Sequence, residues 1–229
     1  MSQTRDDRLA TLVEAVTTAL QDVIKTHHVT EDEWYAALRF LTEVGRADEF
    51  ILLSDTMGLS VLIDELSHPD TGGATPSDVL GPFWRPAPLL DPPATLVPDD
   101  EPGERLLLGG RVTTTAGRPL PGAELDFWQC NAEGRYDVQI PDAEPRYRGR
   151  IHTDADARYE LRTIVPPPYE VKNDGPVGRL LERLGRHAWR PAHIHVKASA
   201  PGCAPLTTML FIEGDPWFGT TSSGPTNPR

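Results

Sequence analysis

The chain reads as mainly β: an antiparallel β-sandwich preceded by a small α-helical region. Three observations predict this. Apolar residues at helical spacing are confined to roughly the first third of the chain. Nine prolines then crowd residues 69–102, where neither a helix nor a central strand tolerates them. Beyond that, short β-compatible runs alternate with turn signals.

Taken in order, Leu9, Leu12, Val13, Val16, Leu20, Val23 and Ile24 recur at helical spacing and predict a first helix. Thr30 with Glu33 fits a capping box opening a second helix that carries Trp34, Leu38, Leu41 and Val44, with Gly45 as its stop. A third apolar segment spans 50–66. The proline-dense stretch is an ordered connector. Strands are expected at 106–115, 123–130, 149–153, 159–164, 192–199 and 206–213, with tight turns at Gly117-Arg118-Pro119 and Asp154-Ala155-Asp156. The expected organisation is a helical region at 1–68, a connector at 69–102, a sandwich domain at 103–218 and a disordered tail at 219–229, whose Gly/Ser/Thr-rich composition gives nothing to bury.

Composition narrows the function classes. The 229 residues carry 22 basic and 34 acidic side chains, a net charge of −12. Nucleic acid is a poor partner for such a surface, because phosphates call for Lys/Arg clusters. No run approaches the ~18 apolar residues of a membrane span, and the first residues lack a signal-peptide apolar region. Cys130 and Cys203 make no disulfide framework. A soluble cytoplasmic enzyme fits these features.

The densest chemistry lies in Trp189-Arg190-Pro191-Ala192-His193-Ile194-His195-Val196. Two imidazoles two residues apart on a strand share a face and reach a single ion. Arg190 adds a permanent cation three residues earlier. Upstream, Tyr136 follows the turn-like Asn131-Ala132-Glu133-Gly134-Arg135, and Tyr169 follows three prolines that fix φ and present it in a defined direction. Structural histidines and packed aromatics account for these residues equally well when each is taken alone.

Together they resemble a known family. Gly134-Arg135-Tyr136, Arg148-Gly149-Arg150-Ile151-His152-Thr153-Asp154, Arg162-Thr163-Ile164-Val165-Pro166-Pro167-Pro168-Tyr169, Asp174-Gly175-Pro176-Val177-Gly178, Gly185-Arg186-His187 and Arg190-Pro191-Ala192-His193-Ile194-His195 are similar to intradiol ring-cleavage dioxygenases. Within that family the chain looks closest to the catechol, chlorocatechol and hydroxyquinol 1,2-dioxygenases, over about residues 38–217. The resemblance implies Fe(3+) as cofactor, with Tyr136, Tyr169, His193 and His195 as its ligands. It also implies a small aromatic diol and O2 as substrates and a muconate- or maleylacetate-type diacid as product. Arg190 becomes the active-site cation that stabilises negative charge on the substrate, and Tyr169 the ligand that gives way to it. The residue types suit the metal: phenolates are hard anionic donors, imidazoles complete a mixed N/O set, and zinc sites favour Cys, His and carboxylate over paired tyrosines.

The resemblance further implies a homodimer through the N-terminal helices, and some relatives hold a lipid in that interface. One pocket wall is expected from Leu52 and Asp55 and from Val79-Leu80-Gly81-Pro82-Phe83, with Val171 and Arg190 approaching from the sandwich. Asp55 offers an acceptor for a third ring hydroxyl, as in hydroxyquinol. Two departures stand out: Met209 occupies a position often held by glutamine, and the chain is short beyond Gly214-Asp215-Pro216. The rival reading is a non-catalytic prealbumin-like sandwich, suggested by 111–123, which leaves the tyrosines and histidines coincidental.

Overall fold

The computed structural model describes residues 6–68, 72–141 and 143–220. Most of the expected tail therefore lies outside the described residues. Two compact units are present, one ending at Asp48 and one beginning at Glu49.

The first unit is a pair of helices, α1 (Asp7–His27) and α2 (Glu31–Arg46). Asp6 caps α1 by accepting from the Leu9 N–H at 3.0 Å. The expected capping box opens α2: Glu33 N–H donates to Thr30 Oγ1 at 3.3 Å, and Thr30 N–H donates to Glu33 Oε2 at 2.8 Å. Gly45 is not the stop. The helix runs through it to Arg46, and the left-handed residue that turns the chain is Asp48, with φ 56°. A glycine inside a helix costs about 1 kcal/mol, a penalty the capped turns around it absorb. No residue of α1 is buried.

In the second unit, the single apolar segment expected at 50–66 is two helices, α3 (Phe50–Thr56) and α4 (Leu59–Ser67). Gly58 separates them with φ 73°, a conformation that ends one helix and starts the next at no Cβ penalty. Among the described residues of the connector, 72–102, there is no helix or named strand. The connector bridges in parallel to Arg150 at Leu89 and to Arg162 at Thr95, and it buries Ala94, Leu96 and Val97 in the core.

Six of the eight strands match the expected ones: β1 (Arg105–Arg111), β2 (Glu124–Trp128), β3 (Arg148–His152), β4 (Arg158–Ile164), β7 (His193–Ser199) and β8 (Leu206–Phe211). An antiparallel sheet of order β3-β2-β7-β8 faces the antiparallel pair β1-β4. Leu125, Phe127, Ile151, Ile194 and Val196 of the larger sheet meet Leu161 and Ile164 of β4 in the core between them. Because strand side chains alternate, Asp126 and Trp128 of β2 and His193 and His195 of β7 are turned to the sheet's other face. That alternation sets up the site.

Three elements were not anticipated. The two-residue strands β5 (Tyr169–Glu170) and β6 (Trp189–Arg190) pair with each other, and α5 (Pro176–Arg183) lies between them in the chain. Glu49 is buried and accepts from Val177 N–H at 3.0 Å in the first turn of α5, where a carboxylate meets unpaired helix N–H groups. Both cysteines are free.

Candidate metal centre

β7 places His193 and His195 side by side and buries both. His193 Nδ1 lies 2.7 Å from the Pro191 carbonyl. A carbonyl only accepts, so the proton sits on Nδ1 and Nε2 presents a lone pair. His193 Nε2 is 3.2 Å from His195 Nε2 and 3.3 Å from Tyr136 Oη. Donors bound at roughly 2.0–2.2 Å to a first-row ion stand about 3 Å from one another, so His193 Nε2 is spaced from each of the other two atoms as co-ligands of one ion would be.

Tyr136 reaches that point from a turn. Asn131 Oδ1 accepts from Glu133 N–H and Arg135 N–H, at 3.1 and 2.8 Å, and Gly134 takes φ 75°. A Cβ on Gly134 would lie 2.9 Å from Tyr169 Cβ, so the missing side chain lets the two tyrosine segments approach. Tyr169 stands edge-on to Tyr136, with ring centroids 5.6 Å apart, and directly opposite Arg190 in the β5-β6 ladder. Aromatic rings close the back: Phe83 stacks on Tyr136 at 4.5 Å, and Trp128, opposite His195 in the β2-β7 ladder, stacks on its imidazole at 4.6 Å.

Burial keeps the donor groups neutral. Burial, aided by the charge on Arg190, pushes His193 down to about 3, and burial with the charges of His193, Arg190 and Arg148 pushes His195 well down as well. Both imidazoles are neutral and free to ligate. Burial raises both phenols, and the neighbouring Tyr169 and Cys130 add to the rise at Tyr136, with Arg190 opposing it. In protein alone the tyrosines keep their protons; a multivalent cation reverses that preference. Among the described residues no group of three or more His, Cys, Asp or Glu side chains is arranged to hold a metal, so a metal here draws on the phenols, and the donor set fits iron(III).

Most of the sequence-predicted residues gather around this point. Arg190 Nη2 lies 3.5 Å from Met209 Sδ, and its charge is felt at both tyrosines and both histidines. Val171 and Phe83 pack against the cluster of Trp128, Cys130, Tyr136 and Tyr169. Gly81 approaches His195, its backbone leaving a Cβ 3.6 Å from Cε1. Asp55, Val79, Gly81 and Pro82 line a hollow of about 150 Å³ together with Ile51 and Ser60. Leu52 and Leu80 do not line it, and Leu80 is exposed. Sequence reasoning passed over Asp78, whose carboxyl is raised by burial while Arg190 draws it down, with Asp64 and Asp55 also near enough to be felt. It also passed over Trp128, although strict alternation from Asp126 puts that ring on the histidine face.

Helices lead an antiparallel sandwich, and tyrosines, histidines and an arginine draw together beside the larger sheet in an arrangement suited to a metal ion. Two family models match, "Catechol dioxygenase N terminus" over residues 6–75 and "Dioxygenase" over 80–222. Hydroxyquinol 1,2-dioxygenase of Rhizobium sp. (strain MTP-10005) is 42% identical over 221 residues, which cover 93% of this chain and 75% of that one. Chlorocatechol 1,2-dioxygenase of Rhodococcus opacus is 38% identical over 94% of this chain and 85% of its own. The structure of hydroxyquinol 1,2-dioxygenase from Pseudomonas putida DLL-E4 superposes with a TM-score of 0.92 at 37% identity, covering 97% of this chain and 80% of that one. Catechol 1,2-dioxygenase from Acinetobacter sp. ADP1 gives 0.88 at 30% identity, covering 99% and 77%. The chain belongs to the intradiol ring-cleavage dioxygenases, a family that uses non-haem iron. It is an enzyme of the hydroxyquinol/catechol 1,2-dioxygenase type that opens the ring of catechol-type diols, and the reading of a bare binding sandwich is set aside.

Proposed function

We propose that this enzyme cleaves hydroxyquinol with O2, using Fe(III) held by Tyr136, Tyr169, His193 and His195. The observation that supports the metal assignment is that His193 Nε2 lies 3.2 Å from His195 Nε2 and 3.3 Å from Tyr136 Oη. Iron held there would be chelated by the two oxygens of the diol and would supply the Lewis acidity that draws electron density from the ring and makes it reactive toward O2. The protein's own groups do the rest. Tyr169, paired with Arg190 across β5 and β6, would hold the iron as a phenolate and would accept a diol proton on that oxygen. Arg190 stabilises the negative charge that develops on the ring oxygens. Phe83 and Trp128, stacked on Tyr136 and His195, hold those rings in plane and exclude water behind them.

Asp55 selects the substrate. It lines the hollow beside Val79, Gly81 and Pro82 and lies within electrostatic range of Tyr169, which supports a role as acceptor for a third hydroxyl on the ring. The names of several relatives, hydroxyquinol 1,2-dioxygenases among them, favour the same substrate. With substrate bound and water excluded, an acceptor left unpaired by plain catechol costs about 1–3 kcal/mol, a preference of roughly 5–150-fold; the partial exposure of Asp55 places the expectation at the lower end. The test compares kcat/KM for hydroxyquinol, catechol and 4-substituted catechols in wild type and Asp55→Ala. Hydroxyquinol should lead in wild type and lose its lead in the variant. An unchanged ranking removes Asp55 as the selector.

The exposed apolar rows of α1 and α2 make the proposed assembly a homodimer joined through these helices. Native mass spectrometry reads both the dimer and any lipid retained in it.

A further inference from the structure

Behind Tyr136 lies a buried ion pair that no step of the reaction touches. Asp137, the next residue, is 1% exposed and Arg148 on β3 is 3% exposed. Arg148 Nε donates to Asp137 Oδ2 at 2.7 Å, and its Nη2 donates to Oδ1 of the same carboxylate. The remaining donors of the fork go to backbone: Nη2 to the Phe83 carbonyl at 3.0 Å and Nη1 to the Arg85 carbonyl at 3.3 Å. Arg85 closes the loop with Nη2 and Nε on Asp137 Oδ2, at 2.6 and 3.1 Å, and Arg146 N–H donates to the same oxygen at 3.0 Å. Burial would raise the Asp137 carboxyl, but these donors hold it below its ordinary range.

One guanidinium therefore grips both the residue that follows Tyr136 and the residue whose ring lies flat on Tyr136, 4.5 Å away at 25°. Buried ion pairs are a poor source of stability compared with apolar packing, so a geometric role accounts for this one better than an energetic one. Only the planar five-donor fork of arginine satisfies a carboxylate and two carbonyls together. Lysine carries the same charge from a single point.

We infer that Arg148 is a positioning residue for Tyr136: by holding Asp137 and the Phe83 carbonyl it fixes the plane and tilt of the phenol, and so sets how firmly the site keeps its metal. The inference rests on the reading of Tyr136 as an iron ligand. Groups that orient metal ligands are typically worth 10–100-fold in affinity.

The test uses the iron-loaded enzyme and three readouts: iron retained against a chelator, the visible tyrosinate-to-iron absorption band, and the thermal midpoint of the apo protein. Arg148→Lys should release iron roughly 10–100-fold more readily and shift the band. Adding Tyr136→Phe to Arg148→Lys should worsen retention by less than Tyr136→Phe does in wild type, because both act through one ligand. Arg150→Lys, on the same strand but paired with Glu124 near the surface, should leave all three readouts at wild-type values. If Arg148→Lys does not fold, Asp137→Asn keeps an acceptor for Nε and should show the same loss in milder form. An Arg148→Lys enzyme with a lowered midpoint but wild-type iron retention and band would make the pair merely structural and overturn the inference. If Tyr136→Phe itself keeps wild-type iron and band, the ligand reading falls, and the inference falls with it for a separately visible reason.

Discussion

At the scale of single residues, what distinguishes the ligands from the arginine beside them is what each loses on substitution. Tyr136→Phe and His193→Ala each remove a donor atom from the convergent set, so both should lose most of the iron and the visible band with it. Arg190 contributes charge, not a donor atom, and its Nη2 faces the weak acceptor Met209 Sδ. Arg190→Ala should therefore retain iron and lose turnover by about 10²–10³-fold, the usual size of a lost preorganised charge stabiliser. Metal analysis beside steady-state kinetics separates the two classes, and normal turnover in Arg190→Ala would remove that residue from the mechanism. The four proposed donors and Arg190 stood out in the sequence because their short motifs resemble those of the family; taken singly, each read equally well as a structural residue. Arg148 and Asp137 were not legible as a unit. They are eleven positions apart with no periodicity between them, and only the folded β3 brings the guanidinium behind Tyr136. Asp78 escaped for a similar reason: its relation to Arg190 crosses over a hundred positions of chain.

At the scale of elements, the six longer strands were legible because short β-compatible runs alternate with turn signals; their burial alternates strictly only in β1. The proline connector was legible because proline excludes the alternatives. Strands β5 and β6, two residues each, are too short to have a period, yet they are what sets Tyr169 against Arg190. The turn before Tyr136 carries the next expectation. Gly134 and Gly117 share a left-handed φ, 75° and 77°, but a Cβ at Gly117 meets nothing within 4 Å, while one at Gly134 meets Tyr169 Cβ at 2.9 Å. Either glycine changed to alanine should lose about 1–3 kcal/mol of stability from the strained backbone alone. Only Gly134→Ala should also weaken iron retention, since it forces the two tyrosine segments apart. Thermal midpoints with metal analysis decide it, and equal iron in both variants would show that the close approach is not needed for the site.

At the scale of the whole molecule, the helices that lead the chain leave an apolar row uncovered. Leu12, Val16 and Leu20 on α1 are 46%, 59% and 49% exposed, and α1 buries none of its residues. A row at this spacing was readable from the sequence as a helix face, but its partner was not, because periodicity says that a face is apolar and never what it meets. A helix of 21 residues draws most of its stability in a protein from packing that face. Fully burying a Leu or Val side chain is worth about 1.5–3 kcal/mol, and half-exposed ones contribute correspondingly less, so several are needed to hold two chains together. In the proposed dimer a second copy of the same face covers this row. The enzyme should sediment as a dimer at micromolar concentration. Val16→Asp with Leu20→Asp places four carboxylates in the shared face, two from each chain, and should give a monomer. None of the residues argued to hold iron or diol lies on α1, so the monomer should keep the iron content, visible band and kcat of the wild type. Sedimentation velocity on both proteins tests the assembly. A wild type that sediments as a monomer would remove the dimer, and a variant that dissociates with loss of iron would show that the helices and the metal centre depend on each other.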